Sequence, residues 1–243
     1  MLVLGLDLET TTFDQDLLRV TEVGAVLYDT DLKCPIEVQA DLVHEPDIPL
    51  PMDAYVVKLT GITDDMVRNY GKPPAEVLEK FYGLYKRAEY VVAHNGNEFD
   101  RPAMGRFINR YGMGDRFKPK HWIDTMLDLP YDEIVNTRKL QDLTGRHGFL
   151  NPFPHRAFTD VMSMLRIMSE YPLEKVLEIS HSPELVFQAV VDFHNKDVAK
   201  AAKFRWDSGT RRWLFKMKKA LLDQENYENK TLWDFPYKEI SKC

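Results

Sequence analysis

The 243-residue chain has few of the features that mark a secreted, membrane-spanning or thiolate-metal protein. It has two cysteines, Cys34 and Cys243, far apart and without metal-type spacing, so they read as free thiols of a reducing compartment. No apolar run approaches the roughly 20 residues that a membrane span needs. The apolar opening MLVLGLDLE is short, has no basic flank and carries an acid at position 7, which is unlike a signal peptide. The expectation is a cytoplasmic protein that does not engage a membrane. Internal repeats and low-complexity tracts are absent as well.

Positive charge is in deficit overall, with a net charge of −6. Its distribution matters more than the sum. Residues 196–219 hold nine Lys or Arg against two Asp, a local +7 that leaves −13 for the remainder. Such a patch can hold a polyanion while the body stays acidic. Hydrophobic residues make up 44% and charged residues 29%, a balance that suits a soluble globular chain with a sizeable core.

The order of elements sets the class. Residues 2–8 form an apolar run that reads as a buried strand, and 22–28 and 36–44 read as further strands of an antiparallel meander. A loop covers 46–51, and helices are expected over 63–69 and 74–87, the second with Pro at its start and apolar residues at helical spacing. Short strands at 90–93 and 122–124 alternate with helices over 98–111, 140–147 and 157–170. This pattern predicts an α/β fold, a mixed sheet covered by helices. Beyond Pro172 the texture changes. Residues 183–195 suggest a helix, and 196–217 suggest a short helix followed by a hairpin with strands 203–206 and 212–215 around a turn at 207–210. The expected organisation is a main domain over 1–175, a connector over 176–195 and a small basic, aromatic module over 196–243.

Three short strings carry chemistry. Asp7 and Glu9 lie two apart at the end of a strand, so both side chains leave the same face. Paired carboxylates repel each other, and a divalent cation relieves that repulsion. Two solvated acids at a strand end would read the same way. Asp100, in AHNGNEFD, falls in the first turn of a helix after a strand and a polar loop, where the helix dipole favours an acid with or without a site. Asn95 and Asn97 suit turns or caps. In HRAFTD, His155 precedes a helix and Asp160 lies on it, an arrangement suited to a general base beside a carboxylate, or to a surface His and a helix Asp. Asp124 and Asp128 read as strand-end or capping acids, His94 as a satisfied strand-end imidazole, and His147 as part of a helix C-terminus.

Taken in order, D-x-E, F-D at a helix start and H-x-A-x-x-D resemble the DEDDh family of 3′→5′ exonucleases, which includes the proofreading epsilon subunit of bacterial DNA polymerase III. The strings DLETT, LTGIT and IDT support the resemblance, which covers roughly residues 1–172. It implies a ribonuclease H-like mixed central sheet flanked by helices. It implies Asp7, Glu9, Asp100 and Asp160 as ligands of two divalent cations, Mg²⁺ or Mn²⁺, and His155 as general base. A sister group places a Tyr base four residues before the last Asp, and here that position is Arg156. The resemblance also implies that Glu9 contacts the terminal 3′-hydroxyl, that Leu8 and Thr10 line the terminal nucleotide pocket, and that Thr60 lies near its base or sugar. Many relatives have His where Thr60 stands. Asn95 has a site role and a turn role open to it.

The resulting expectation is an exonuclease that hydrolyses DNA from single-stranded 3′ ends to nucleoside 5′-monophosphates, in replication, repair or nucleotide recycling. A polymerase or other replication protein is the implied partner. The alternatives are an exoribonuclease of the oligoribonuclease or RNase T type and a non-catalytic nucleic-acid-binding protein on the same fold. In the C-terminal module, Arg205, Trp206, Arg211, Arg212 and Trp213 suit stacking and phosphate contacts on single strands. The same aromatics equally suit the core of a small hairpin. The module resembles helix-and-hairpin units appended to phage and bacterial replication proteins.

Overall fold

The computed structural model describes residues 1–131, 137–192 and 194–240. Cys243, and Phe193 within the segment expected to be helical, lie outside the described residues. The chain forms two compact units, Met1–Leu173 and Glu174–Cys243.

The first unit is built on a five-stranded mixed sheet. Strands β1 (Leu2–Thr10), β2 (Val20–Asp29) and β3 (Cys34–Leu42) form the expected antiparallel meander. Strands β4 (Tyr90–Ala93) and β5 (His121–Asp124) add in parallel beside β1, giving the order β3-β2-β1-β4-β5. Helices α1 (Ala54–Thr60), α2 (Asp64–Tyr70) and α3 (Pro74–Tyr85) lie between β3 and β4, and α4 (Asp100–Arg110) between β4 and β5. Helices α5 (Leu140–Arg146) and α6 (Ala157–Met168) follow.

The two-residue period of β1 decides which face does what. Leu4, Leu6 and Leu8 are buried in the main core with Val77, Leu78 and Phe81 of α3 and Ala103, Met104 and Phe107 of α4. The alternate residues, Gly5, Asp7 and Glu9, face α6. At Gly5 an added Cβ would lie 2.7 Å from Val161 and 2.8 Å from Leu165. The missing side chains at Gly5, and at Gly24 of β2, let α6 settle directly on the sheet.

Helix α1 lies in a stretch that carries no expected element, and its β-branched Val56–Val57 pair lowers helix propensity there. Its signals were the ends. Asp53 caps it by accepting from the amides of Tyr55 and Val56, and Gly61 closes it with φ +70°.

The second unit departs from expectation where a helix was read. Residues Glu184–Ala189 form a strand, β6, after a helix α7 (Leu173–His181). With Leu185, Phe187 and Ala189 on its core side, the segment has a period of two rather than 3.6. Helix α8 (Lys196–Ala201) and the hairpin strands β7 (Arg205–Asp207) and β8 (Arg212–Lys218) follow. A last strand, β9 (Tyr237–Ile240), completes the sheet order β7-β8-β6-β9. Strand β7 starts later than expected because Lys203, with φ +66°, closes α8 in the left-handed region. Asp207 fixes the turn by accepting from the amides of Gly209 and Thr210. The segment expected as a connector, 176–195, therefore holds most of α7 and all of β6.

Candidate active site

Asp7 and Glu9 continue the row on β1 that faces α6, and Asp160 lies on α6 next to Val161, which packs over Gly5. One carboxylate oxygen from each of Asp7, Glu9 and Asp160 lies within 4.8 Å of the others. Asp100 opens α4 and is buried, and its Oδ1 accepts from the amide of Leu8 at 3.0 Å. It is therefore tied to the same strand, between the two acids of β1.

Burial dominates the electrostatics, and mutual repulsion adds to it. The Asp7 carboxyl is held well above its usual range by burial and then by Asp100 and Glu9. Glu9 is pushed up to about 9 by burial, then by Asp160 and Glu22. Asp100 rises to about 8 and Asp160 to about 6, burial being the first cause in each. The donors are carboxylate oxygens alone, and their repulsion is of the kind that a hard divalent cation offsets. The site thus fits Mg²⁺ or Mn²⁺ chemically.

His155 stands at a sharp corner, with φ +60°. Its backbone amide donates to Asp160 Oδ2 at 3.1 Å, and Asn151 Nδ2 donates to Asp160 Oδ1. Burial lowers the pKa of the His155 imidazole, so its neutral form dominates at neutral pH. Arg156, in the position of the alternative Tyr base, does something else. Its Nη2 and Nε donate to Glu22 at 2.6 and 3.1 Å. The amide of Ala157, the first residue of α6, also donates to Glu22, at 2.9 Å.

Glu22 and Asn151 were not identified from sequence. The signal for Glu22 was an acid inside the apolar string EVGAVLY, directly across the ladder from Glu9. Asn151 carried only a turn signal. A surface trio was also missed. The ring of Phe13 lies 6.4 Å from that of Tyr55 and 6.3 Å from that of Phe99, and Phe13 and Tyr55 are exposed. Phe99 immediately precedes Asp100, so the patch adjoins the acids.

Leu8 and Thr10 are buried beside the acids on β1, and Thr10 Oγ1 donates to the Thr12 carbonyl at 2.8 Å. The Thr60 hydroxyl closes α1, donating to the Val56 carbonyl at 3.0 Å and accepting from the Ile62 amide at 3.1 Å. Asn95 sits in the left-handed region with φ +63°, its amide held by Asp124 Oδ1 at 2.9 Å. Asp124 also accepts from the amides of Asn97 and Met126, so it organises the loop that leads to Asp100. The His94 ring is engaged on both nitrogens, by Thr125 Oγ1 at 2.9 Å and the Arg138 carbonyl at 2.8 Å. The His147 Nδ1 meets the Leu143 carbonyl at the end of α5, at 2.7 Å.

In the second unit, Phe187, Phe204, Phe215 and Trp233 form an aromatic core. Trp206 and Trp213 pair across β7 and β8 with rings 5.5 Å apart. Trp213 packs against that core, and Trp206 is exposed together with Arg205, Arg211 and Arg212.

Comparison with known proteins bears on the family and the fold. DNA polymerase III PolC-type of Listeria innocua is 32% identical over 113 residues, which is 45% of this chain and 7% of that protein. The chain therefore spans a small part of the curated relatives it matches. Among solved structures, E. coli exonuclease I in a zinc-bound complex with single-stranded DNA superposes with a TM-score of 0.61 at 17% identity, covering 76% of this chain and 47% of that one. The nuclease domain of 3′hExo, a DEDDh family member bound to rAMP, gives 0.53 at 21% identity, covering 70% and 90%. These structural likenesses establish the ribonuclease H-like exonuclease fold. The RNase T exonuclease family matches residues 4–168, which span all four acids and His155, and the chain belongs to this family, of the DEDDh type.

Proposed function

We propose that the chain is a divalent-metal-dependent 3′→5′ exonuclease that trims single-stranded DNA ends and releases nucleoside 5′-monophosphates. The observation that carries this reading is the meeting of Asp7, Glu9 and Asp160 within 4.8 Å, with Asp100 hydrogen-bonded to the strand between the first two. These four acids would hold two cations, Mg²⁺ or Mn²⁺, which supply positive charge to the attacking and leaving oxygens of a phosphodiester. His155, neutral at working pH, takes the proton of the attacking water. The water oxygen bonds to phosphorus as the bond to the 3′-oxygen breaks. Glu9, Leu8, Thr10, Thr60 and Asn95 are assigned to the terminal nucleotide, and the exposed rings of Phe13 and Tyr55 offer a surface for a base to stack on. Arg205, Trp206, Arg211, Arg212 and Trp213 are assigned to the remaining length of strand.

Two relatives support DNA by what their names record: a DNA polymerase III and an exonuclease bound to single-stranded DNA. Others support an exoribonuclease reading, since 3′hExo was bound to rAMP and a 3′-exonuclease recognised a histone mRNA stem-loop. Partnership with a polymerase in replication follows the first group. Digestion of matched 5′-labelled single-stranded DNA, duplex DNA and RNA, with Asp7→Ala as control, tests the proposal. Single-nucleotide shortening of the DNA strand, dependent on Mg²⁺ or Mn²⁺ and absent in the variant, is expected. Faster digestion of RNA would transfer the assignment to RNA, and metal-independent or absent shortening would overturn it.

A further inference from the structure

We propose that Glu22 and Arg156 are a positioning pair that sets His155 and Asp160 against the acids of β1 and balances the charge around the metals. The proposal rests on the exonuclease reading above.

Glu22 is a fifth carboxylate in the cluster. It sits directly across from Glu9 in the β1–β2 ladder and is buried. Its oxygens are occupied by Arg156 Nε and Nη2 and by the Ala157 amide. A buried acid so engaged serves poorly as a metal ligand but well as an anchor. What it anchors is the corner 155–157, where the chain turns from His155 in the left-handed region into the first residue of α6. The same corner holds Asp160 through the His155 amide. One residue pair further along β2, Gly24 leaves no room: a Cβ there would lie 2.3 Å from the Ala157 carbonyl carbon. Strand β2 therefore holds the start of α6 by close contact at Gly24 and by charge-assisted hydrogen bonds at Glu22. Partners one step behind metal ligands typically change affinity or turnover by about 10–100-fold when removed.

The pair also has a charge signature. Loss of the Arg156 cation leaves an unbalanced carboxylate beside Glu9 and Asp160, which favours a bound cation. Loss of the Glu22 charge leaves an unbalanced guanidinium there, which opposes one. Arg156 also borders an open cleft with Tyr70, Lys72 and Phe153, so direct substrate contact is the competing role.

The test uses the full chain, steady-state hydrolysis of 3′-labelled single-stranded DNA, and Mn²⁺ binding followed by electron paramagnetic resonance. Arg156→Ala is expected to lower kcat by about 10–100-fold with KM within about twofold of wild type and Mn²⁺ bound as tightly or more tightly. Glu22→Gln is expected to lower kcat similarly while weakening Mn²⁺ binding. Arg156→Lys, which keeps the charge without the two-pronged geometry, should show wild-type Mn²⁺ affinity but recover only part of kcat. Wild-type kcat in Arg156→Ala, a raised KM at unchanged kcat, or Mn²⁺ shifts of one sign in both variants would each overturn the proposal. If Glu22→Gln fails to fold, the Arg156 variants decide alone by the first two criteria. An inactive wild-type chain would instead sink the exonuclease reading, and the opposite Mn²⁺ shifts would still test the pair.

Discussion

The amide of Leu8 donates to Asp100 Oδ1 at 3.0 Å, so the strand that carries Asp7 and Glu9 is hydrogen-bonded to the acid that opens α4. The carboxylate is placed by the backbone of β1, and its repulsion by the neighbouring acids is the cost of that placement. Asp100→Asn keeps an acceptor for Leu8 while removing a charge. It is expected to abolish hydrolysis and to raise the metal-free melting temperature by a few degrees near pH 8, a shift that corresponds to about 1 kcal/mol. Calorimetry in EDTA beside the nuclease assay checks both. Full activity in the variant would remove Asp100 from the site.

The acid cluster makes metal-free stability depend on pH with a definite sign. In the unfolded chain these carboxyls release protons near pH 4. In the folded protein Asp160 holds its proton to about 6, Asp100 to about 8 and Glu9 to about 9. Over that window the folded state binds more protons than the unfolded state, so stability falls as pH rises. The melting temperature in EDTA should therefore decline from about pH 5 to about pH 9. Saturating Mg²⁺ or Mn²⁺ should flatten the decline, because the cation takes over from the protons. A melting temperature in EDTA that rises across this range would contradict the cluster.

His155 is held by its backbone, through the amide that donates to Asp160, so its ring can be removed without removing the hold. His155→Ala is expected to lower kcat by about 10²–10⁴-fold, the range for loss of a general base, with Mn²⁺ affinity nearly unchanged. Burial lowers the His155 pKa, so the rate should rise with pH through a limb below the ordinary imidazole range and then level as the base becomes neutral. Unaltered turnover in the variant would exclude it as the base.

The sequence revealed the acids more readily than their supports. Asp7 and Glu9 were legible because a two-residue period assigns a face without further information. Asp100, His155 and Asp160 each sat at a recognisable helix start. Glu22 was hidden, since its partners Arg156 and Ala157 lie 134 and 135 residues away and no local pattern joins them. The same limit applies to β6. Its period of two was present in ELVFQA, but its partners β8 and β9 come later in the chain, and a segment read in isolation gave no reason to prefer a central strand. Thr60 and Asn95 show the reverse case. Their side-chain or backbone groups have local structural duties that a motif reading alone does not display.

Gly24 tests how closely the sheet and α6 must approach. An added Cβ would meet the backbone of Ala157 and Phe158, at 2.3 and 2.5 Å, and backbone at a helix start cannot rotate away. Gly24→Ala is expected to cost about 1–3 kcal/mol, as overpacking does. It should also lower kcat in the fraction that remains folded, because α6 carries Asp160. Urea unfolding with an activity measurement normalised to folded protein separates the two effects. A stable variant with normal turnover would mean that α6 has slack at this position.

The hairpin of the second unit presents Arg205, Arg211 and Arg212 to solvent together with Trp206, while Trp213 packs against the aromatic core. This divides the aromatic block, because one tryptophan packs into the fold and the other is exposed. Replacing the three arginines with Ala is expected to weaken binding of a long single strand. It should also reduce the slope of log affinity against log salt by about 0.7 for each phosphate that is no longer neutralised. Trp206→Ala should weaken binding with little change in that slope, since stacking releases no counterions. In both variants the weakening should grow with oligonucleotide length. Deletion of residues 196–243 would be a poorer test, because β6 pairs with β8 and β9 and would be left without both neighbours. Filter binding over a range of salt concentrations, with oligonucleotides of graded length, measures the slopes directly. Identical slopes in the wild type and the arginine variant would take phosphate binding away from this module.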